Sequence, residues 1–210
     1  MDILEIKDLE TLAQKRVPKM FFDYVNSGSW TETTYNENIS DFQKIKLRQR
    51  VAIDMSNRTL ETKMINQPVS MPVAIAPTGL TGMQRADGEI LAAQAAEEFG
   101  IPYTLSTMSV CSIEAVAKKT TKPFWFQLYV MKDKKFMERL IDRAKEAKCS
   151  ALVLTLDLQL LGQRHKDLRN GLSTPPKLIP KHIYQVLTRP MWCLRMLTTK
   201  NHFFGNIVGH

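Results

Sequence analysis

From Leu172 to His210 the sequence contains no acidic residue, whereas Lys177, Lys181, Arg189, Arg195 and Lys200 all fall there. Those five cations carry most of the formal net charge of +8, and the rest of the chain is close to balanced. A stretch of one sign suits nucleic acid, an anionic membrane or acidic ligands. Cysteine is scarce too. Cys111, Cys149 and Cys193 lie far apart without metal-ligand spacing, which predicts reduced thiols in a cytoplasmic protein and no metal site. No apolar run approaches ~18 residues, so no membrane-spanning helix is expected. The N-terminus has nothing like a secretory signal. No GxGxxG and no Walker sequence occurs, which argues against a dinucleotide held at a helix N-terminus.

What is present is a patterned α/β chain. Of its 210 residues 44% are hydrophobic, ample for a core, and 24% are charged, ordinary for a soluble protein. The first third reads as a helical cap. "KDLETLAQKRV" and "KMFFDYVNSG" have helical spacing, and the second is expected to stop at Ser27-Gly28. "TETTYNENISDFQKIKL" is a further helix candidate, followed by an extended, alternating "LRQRVAIDMSNRTLETKMIN". The texture then changes. "MPVAIAP" (71–77), "IPYTLST", "PFWFQLYV" and "SALVLTLD" predict four buried strands. Between them stand three helices: "DGEILAAQAAEEFG" with Asp87 as N-cap and Gly100 as stop, "SIEAVAKK" capped by Ser112, and "DKKFMERLIDRAKEAK" opening on Asp133. Strands alternating with helices at this spacing predict a parallel sheet. The residues after Asp157 offer no fifth unit. The expected organisation is a cap and lead-in over 1–70, four β/α units over 71–163, and a basic, apolar, Pro-punctuated excursion over 164–210.

In β/α folds ligands sit at the carboxyl ends of the strands. Those ends carry Ala76-Pro77-Thr78-Gly79, then Ser106-Thr107, then Gln127 and Tyr129, then Thr155 and Asp157. Gln127 stands in the apolar run "FWFQLYV", where an amide needs partners for its polar atoms. Either other protein groups bond it, or the strand is aimed at a ligand that wants an amide. One polar residue at a strand end is ordinary core. Four strands converging with Gln, Ser and Thr point to a shared ligand with a flat, hydrogen-bonding edge.

Several motifs in fixed order carry a resemblance: "FDYVNSG", "LRQR", "MPVAIAPTGLTGM", "LSTMSVCSIEAVA", "FWFQLYVMKD" and "LTLDLQLLGQRHKDLRNG". Together the chain resembles the N-terminal half of the FMN-dependent α-hydroxy acid dehydrogenases, closest to the membrane-associated, quinone-linked L-lactate dehydrogenases. The resemblance implies half of a (β/α)8 TIM barrel, FMN as cofactor, and oxidation of L-lactate or a related L-2-hydroxy acid. It implies that the backbone of Ala76, Pro77 and Thr78 packs against the flavin ring, and that Ser106, Gln127 and Thr155 contact it. Tyr24, Tyr129 and Arg164 match substrate-binding positions, an arginine fork suiting a carboxylate. Arg164 has a plainer reading as the ion-pair partner of Asp157 or Asp167, and Tyr24 as an ordinary helix aromatic.

In the family, the base histidine with its aspartate, the carboxylate-gripping arginine and the lysine beside the flavin lie in later motifs of the types "KGI" and "SNHGGRQ". Neither occurs here, and none of His165, His182, His202 and His210 stands in such a context. No catalytic base is therefore assigned in this chain. The expectation is a truncated half, inactive alone unless a complementing C-terminal half exists, from a family that is homo-oligomeric. The basic tail interleaves cations with Ile179, Ile183, Leu187, Trp192, Leu194 and Phe203, which suits an anionic membrane surface. The resemblance adds the quinone pool and a peripheral place on the cytoplasmic face of the inner membrane. Nucleic acid is not expected, since no recognition motif accompanies the charge. The alternative is a non-catalytic α/β module whose basic tail binds a membrane or a partner.

Overall fold

The computed structural model describes residues 2–172 and 179–208. Lys177 of the basic stretch and His210 lie outside the described residues. The elements in chain order are α1 (Ile6–Arg16), α2 (Lys19–Val25), α3 (Thr33–Lys44), β1 (Thr62–Met64), β2 (Gln67–Val69), α4 (Thr81–Gln84), α5 (Gly88–Phe99), β3 (Thr104–Ser106), α6 (Ile113–Ala117), β4 (Trp125–Tyr129), α7 (Lys134–Glu146), β5 (Ala151–Thr155), α8 (His165–Asn170), α9 (Pro180–Leu187) and α10 (Pro190–Thr198). They form two compact units, one from 1–59 with 160–188 and one from 60–159 with 189–210. The excursion drawn from sequence as one segment, 164–210, is thus divided between the two.

The first unit is helical. Its apolar interior is small, with Val17, Met20 and Phe22 buried, and polar groups complete it. Asn170 donates to Asp23 Oδ2 at 2.7 Å, Gln185 Oε1 accepts from the Met20 N–H at 2.9 Å, and His182 Nε2 meets the Asn170 carbonyl at 2.7 Å. Such bonds are what make a buried amide or carboxylate tolerable. Gly28 does not end α2, which stops at Val25 with Asn26 as cap. It is small because Tyr35 packs on it: a Cβ there would come within 2.6 Å of the tyrosine Cβ.

The second unit is α/β, with a parallel sheet in the order β3-β4-β5 and an antiparallel hairpin of β1 and β2. β4 is central and nearly all buried, and its run of apolar side chains reflects cover on both faces. Phe126, Leu105, Ile113 and Leu140 are among the fully buried members of the core beneath it. α7 presents Phe136, Leu140 and Ala144 to that core at i, i+4, i+8 spacing. β5 alternates, with Leu152 and Leu154 outward at 46% and 51% exposure.

The expected strand over 71–77 does not form. Only Ile75 bridges, in parallel, to Tyr103. Its N–H donates to Pro102 O at 2.9 Å and its carbonyl accepts from Thr104 N–H at 3.1 Å. Pro72 and Pro77 flank it without donors of their own, which limits the ladder. Most of the extended lead-in is likewise irregular, with β1 its one strand. Asp87 stands at the N-cap position of α5, but its side chain makes no capping bond. It is left-handed at φ 57, and its carboxylate instead accepts from Thr199 and Asn201. The caps at Ser112 and Asp133 do form, to Ala115 N–H and Phe136 N–H at 3.1 and 3.0 Å. Gly100 closes α5 at φ +79, a conformation glycine adopts without strain.

Candidate functional site

Parallel register brings three of the sequence-assigned residues together. Ser106 pairs with Gln127 across β3 and β4, and Thr155 stands at the end of neighbouring β5 opposite Tyr129. The Gln127 amide links them. Ser106 Oγ donates to Gln127 Oε1 at 3.1 Å, and Gln127 Nε2 donates to Thr155 Oγ1 at 2.6 Å. Thr107 fastens the same strand: its N–H donates to Gln127 Oε1, its hydroxyl to the Gln127 carbonyl, and it accepts from Tyr129 N–H. Gln127 is 1% exposed and Ser106 is buried beside it.

Protein groups therefore account for both lone pairs of Gln127 Oε1 and one of its two amide hydrogens. The second hydrogen on Nε2 and the hydroxyl proton of Thr155, whose oxygen accepts from Gln127, are the donors that this row has left to offer among the described residues. Thr107 stands at the same strand end, and its part depends on cross-strand register that spacing along the chain does not show.

Ala76, Pro77 and Thr78 follow the Ile75 bridge, so they leave the sheet at the same end as Ser106, and all three are exposed. The next residue but one, Leu80, donates its N–H to Met108 O at 3.1 Å and holds this loop to the turn after β3. Glu89, fully buried on α5, ties the two turns again by accepting from Gly82 N–H and Val110 N–H, each at 2.9 Å. No pattern in the sequence separates Glu89 from the exposed acids of the same helix. Tyr129 is half-buried, and burial, with the Asp157 carboxylate second, pushes its phenol above the ordinary value. It stays a protonated donor at neutral pH.

Tyr24 and Arg164 belong to the helical unit, where they meet. The Arg164 guanidinium lies over the Tyr24 ring, 4.9 Å from its centroid. Its Nε donates to Asp167 Oδ2 at 2.6 Å, and its Nη2 donates to the Tyr24 carbonyl and to Ser27 Oγ, the latter at 2.9 Å. The pairing with Asp167 is the plainer of the two readings of this arginine, and Nη1 makes none of these bonds. Of the described histidines, His165 is edge-on to Trp30, His182 is buried against the Asn170 carbonyl, and His202 is exposed.

The model of the FMN-dependent dehydrogenases matches residues 13–208. The chain belongs to this family. Among curated relatives it is 46% identical over 201 residues to an L-lactate dehydrogenase of Acinetobacter baumannii, an alignment that covers 95% of this chain and 52% of that protein. It is 43% identical over 208 residues to the L-lactate dehydrogenase of Acinetobacter baylyi, covering 99% and 54%. The chain thus spans about half the length of the curated relatives it matches. Among solved structures, a monotopic membrane protein, (S)-mandelate dehydrogenase, superposes with a TM-score of 0.91 at 32% identity, over 99% of this chain and 56% of that one. A putative lactate oxidase of Pediococcus acidilactici superposes with a TM-score of 0.78 at 30% identity, over 91% and 53%. Members of a family that depends on FMN thus share both the sequence and the fold of this chain.

Proposed function

We propose that this chain contributes the flavin-ring half of an FMN-dependent L-2-hydroxy acid dehydrogenase, with L-lactate as substrate and pyruvate as product. The observation that carries this reading is the Ser106–Gln127–Thr155 row at the carboxyl ends of three parallel strands. Its one uncommitted amide hydrogen fits a flat heterocycle edged with acceptors. The exposed Ala76–Thr78 segment beside it gives such a ring a backbone to lie against. The sheet is read as the first part of a (β/α)8 barrel, Ile75 standing where the first barrel strand runs.

Bound FMN would supply the acceptor for the two electrons that leave the hydroxy acid. Gln127 would hold the ring edge through Nε2, with Ser106 and Thr155 orienting that amide from either side. Tyr129, kept protonated by burial, donates to an oxygen of the substrate. Within the helical unit, Asp167 and Ser27 hold Nε and Nη2 of Arg164 and the Tyr24 ring supports the guanidinium, which leaves Nη1 to offer a carboxylate. The proton of the substrate hydroxyl has no acceptor assigned in this chain.

A peripheral position on the cytoplasmic face of the inner membrane, with quinone as electron acceptor, belongs to the same proposal. So do homo-oligomers and a complementing C-terminal half. Among the described residues no helix is long and apolar enough to cross a membrane. What supports a surface contact is the outward side of α10, where Met191, Leu194 and Leu197 are exposed close to Arg195 and Lys200.

The deciding experiment is an anaerobic visible spectrum of the purified chain with FMN, before and after L-lactate. A shifted flavin band on binding, bleached by lactate, is the result expected if the chain or a copurifying half completes the site. A shift without bleaching supports the flavin contacts alone. An unaltered flavin spectrum overturns the reading and leaves the non-catalytic α/β module.

A further inference from the structure

The segment that follows α10 returns into the α/β unit. Thr199 Oγ1 and Asn201 Nδ2 donate to Asp87 Oδ1 at 2.6 and 2.7 Å. The Gly205 N–H donates to Ser109 O at 3.1 Å. A Cβ on Gly205 would come within 2.6 Å of both Val110 O and Ser112 N, so only glycine lets the two backbones approach this closely. Asn206 comes next, at 0% exposure.

All four hydrogen-bonding positions of the Asn206 amide are taken. Its Oδ1 accepts from Ile113 N–H at 2.9 Å and from Arg143 Nη2 at 3.4 Å. Its Nδ2 donates to Ser106 O at 3.3 Å and to Ser109 Oγ at 2.9 Å. The Ile113 donor and the Ser106 acceptor allow one amide orientation only. Arg143 is itself held by both oxygens of Glu114, at 2.6 and 2.9 Å. A side chain that only filled this space would not need four directed bonds, and burying an amide would serve no purpose there.

The bond to Ser106 is the informative one. Asn206 holds its carbonyl, and the hydroxyl of the same residue donates to Gln127, which donates to Thr155. We propose that Asn206 is a positioning residue that sets the Ser106 backbone, and through it the Ser106–Gln127–Thr155 row. The inference deepens the flavin reading above and rests on it for its functional consequence. The tail of the chain is in this respect part of the ring-binding apparatus, although it lies about a hundred residues beyond the strand it serves.

The test compares the full chain with Asn206→Asp, which keeps the acceptor toward Ile113 and Arg143 and removes the donor toward Ser106. Leu140→Val, a core change on α7, serves as a control of matched thermal stability. FMN affinity is read by quenching of flavin fluorescence well below the melting temperature, and backbone amide exchange is read without flavin. The Met108 N–H donates to Ser106 Oγ at 3.1 Å and so reports on the placement of that residue. The expected result is FMN affinity weakened roughly tenfold in Asn206→Asp and unchanged in Leu140→Val, with faster exchange at Met108 in the first variant alone. Equal affinities in parent and Asn206→Asp, or equal losses in the two variants, would overturn the proposal. If the parent itself gives no flavin response, the flavin reading fails, and exchange then decides the positioning role by itself. Selective loss of Met108 protection upholds it, and unchanged protection ends it.

Discussion

The guanidinium of Arg164 covers the ring of Tyr24 at 4.9 Å and also hydrogen-bonds the backbone carbonyl of the same residue. With Ser27 and Asp167 as further partners, one side chain from 160–188 secures the end of α2. An ammonium can reach only part of this set, because it lacks the planar fork. Arg164→Lys is therefore expected to destabilise the helical unit by about 1–2 kcal/mol, read by chemical denaturation. An unchanged midpoint would mean that the cluster contributes orientation and no stability.

Glu114 and Arg143 form a two-point ion pair, and the hydrogen bonds from Arg143 hold the Glu114 carboxyl down at about 2, against the opposing effect of burial. A carboxylate depressed on folding adds stability above its unfolded pKa, and that stability is lost as pH falls toward the folded one. The window here runs from about 4.5 down to about 2. The glutamate side chain is half exposed, so solvent screening keeps the contribution to about 1 kcal/mol or less. Parent and Glu114→Gln should differ in stability at pH 6 and converge by pH 2. A difference that stays constant across that range would assign the effect to something other than this titration.

The helices of the α/β unit were legible because their signals are local. Ser112 and Asp133 each reach an N–H three residues on, and Gly100 needs only its own φ. Asp87 marks the start of α5 as its position suggests, but a short acid before a helix looks the same whether its carboxylate caps that helix or accepts bonds from Thr199 and Asn201, more than a hundred residues away. "MPVAIAP" has strand composition, but its prolines leave few N–H groups for a ladder, and a single bridge survives. The tail helices had a readable signal that the basic, Pro-rich texture obscured: Pro180 and Pro190 each sit in the first turn of a helix, where proline is favoured. At the site, the residue types at the strand ends were visible, whereas their mutual bonds depend on register. Asn206 gave no signal at all, since nothing around it distinguishes a buried amide from a solvated one.

Ile65 and Asn66 turn the hairpin between β1 and β2 with φ values of 47 and 61. Two consecutive left-handed residues define the turn that matches strand twist, and a β-branched side chain is poorly suited to its first position. Ile65 is also exposed, so no packing repays the strain. Ile65→Asn should raise stability by roughly 1 kcal/mol, measured by thermal melting, and should leave flavin binding unchanged. A loss of stability would show that the isoleucine makes contacts in solution that outweigh its backbone.

α10 divides its apolar residues between two sides, and that division sets the membrane prediction. Met196 is buried and the Trp192 indole donates to Met83 O at 2.8 Å, so one side belongs to the α/β unit. Met191, Leu194 and Leu197 remain exposed on the other, Leu197 at 81%, in a segment with cations and no acids. Apolar area and positive charge both favour an anionic lipid surface. The full chain should cosediment with vesicles containing anionic lipid, bind neutral vesicles weakly, and lose most binding at high salt as the charges are screened. Leu194→Ser with Leu197→Ser should reduce binding at every salt concentration, because it removes the apolar contribution while leaving the charge. Binding that the double variant retains in full would assign the contact to charge alone, and no binding by the parent would leave the outward side of α10 to a protein partner.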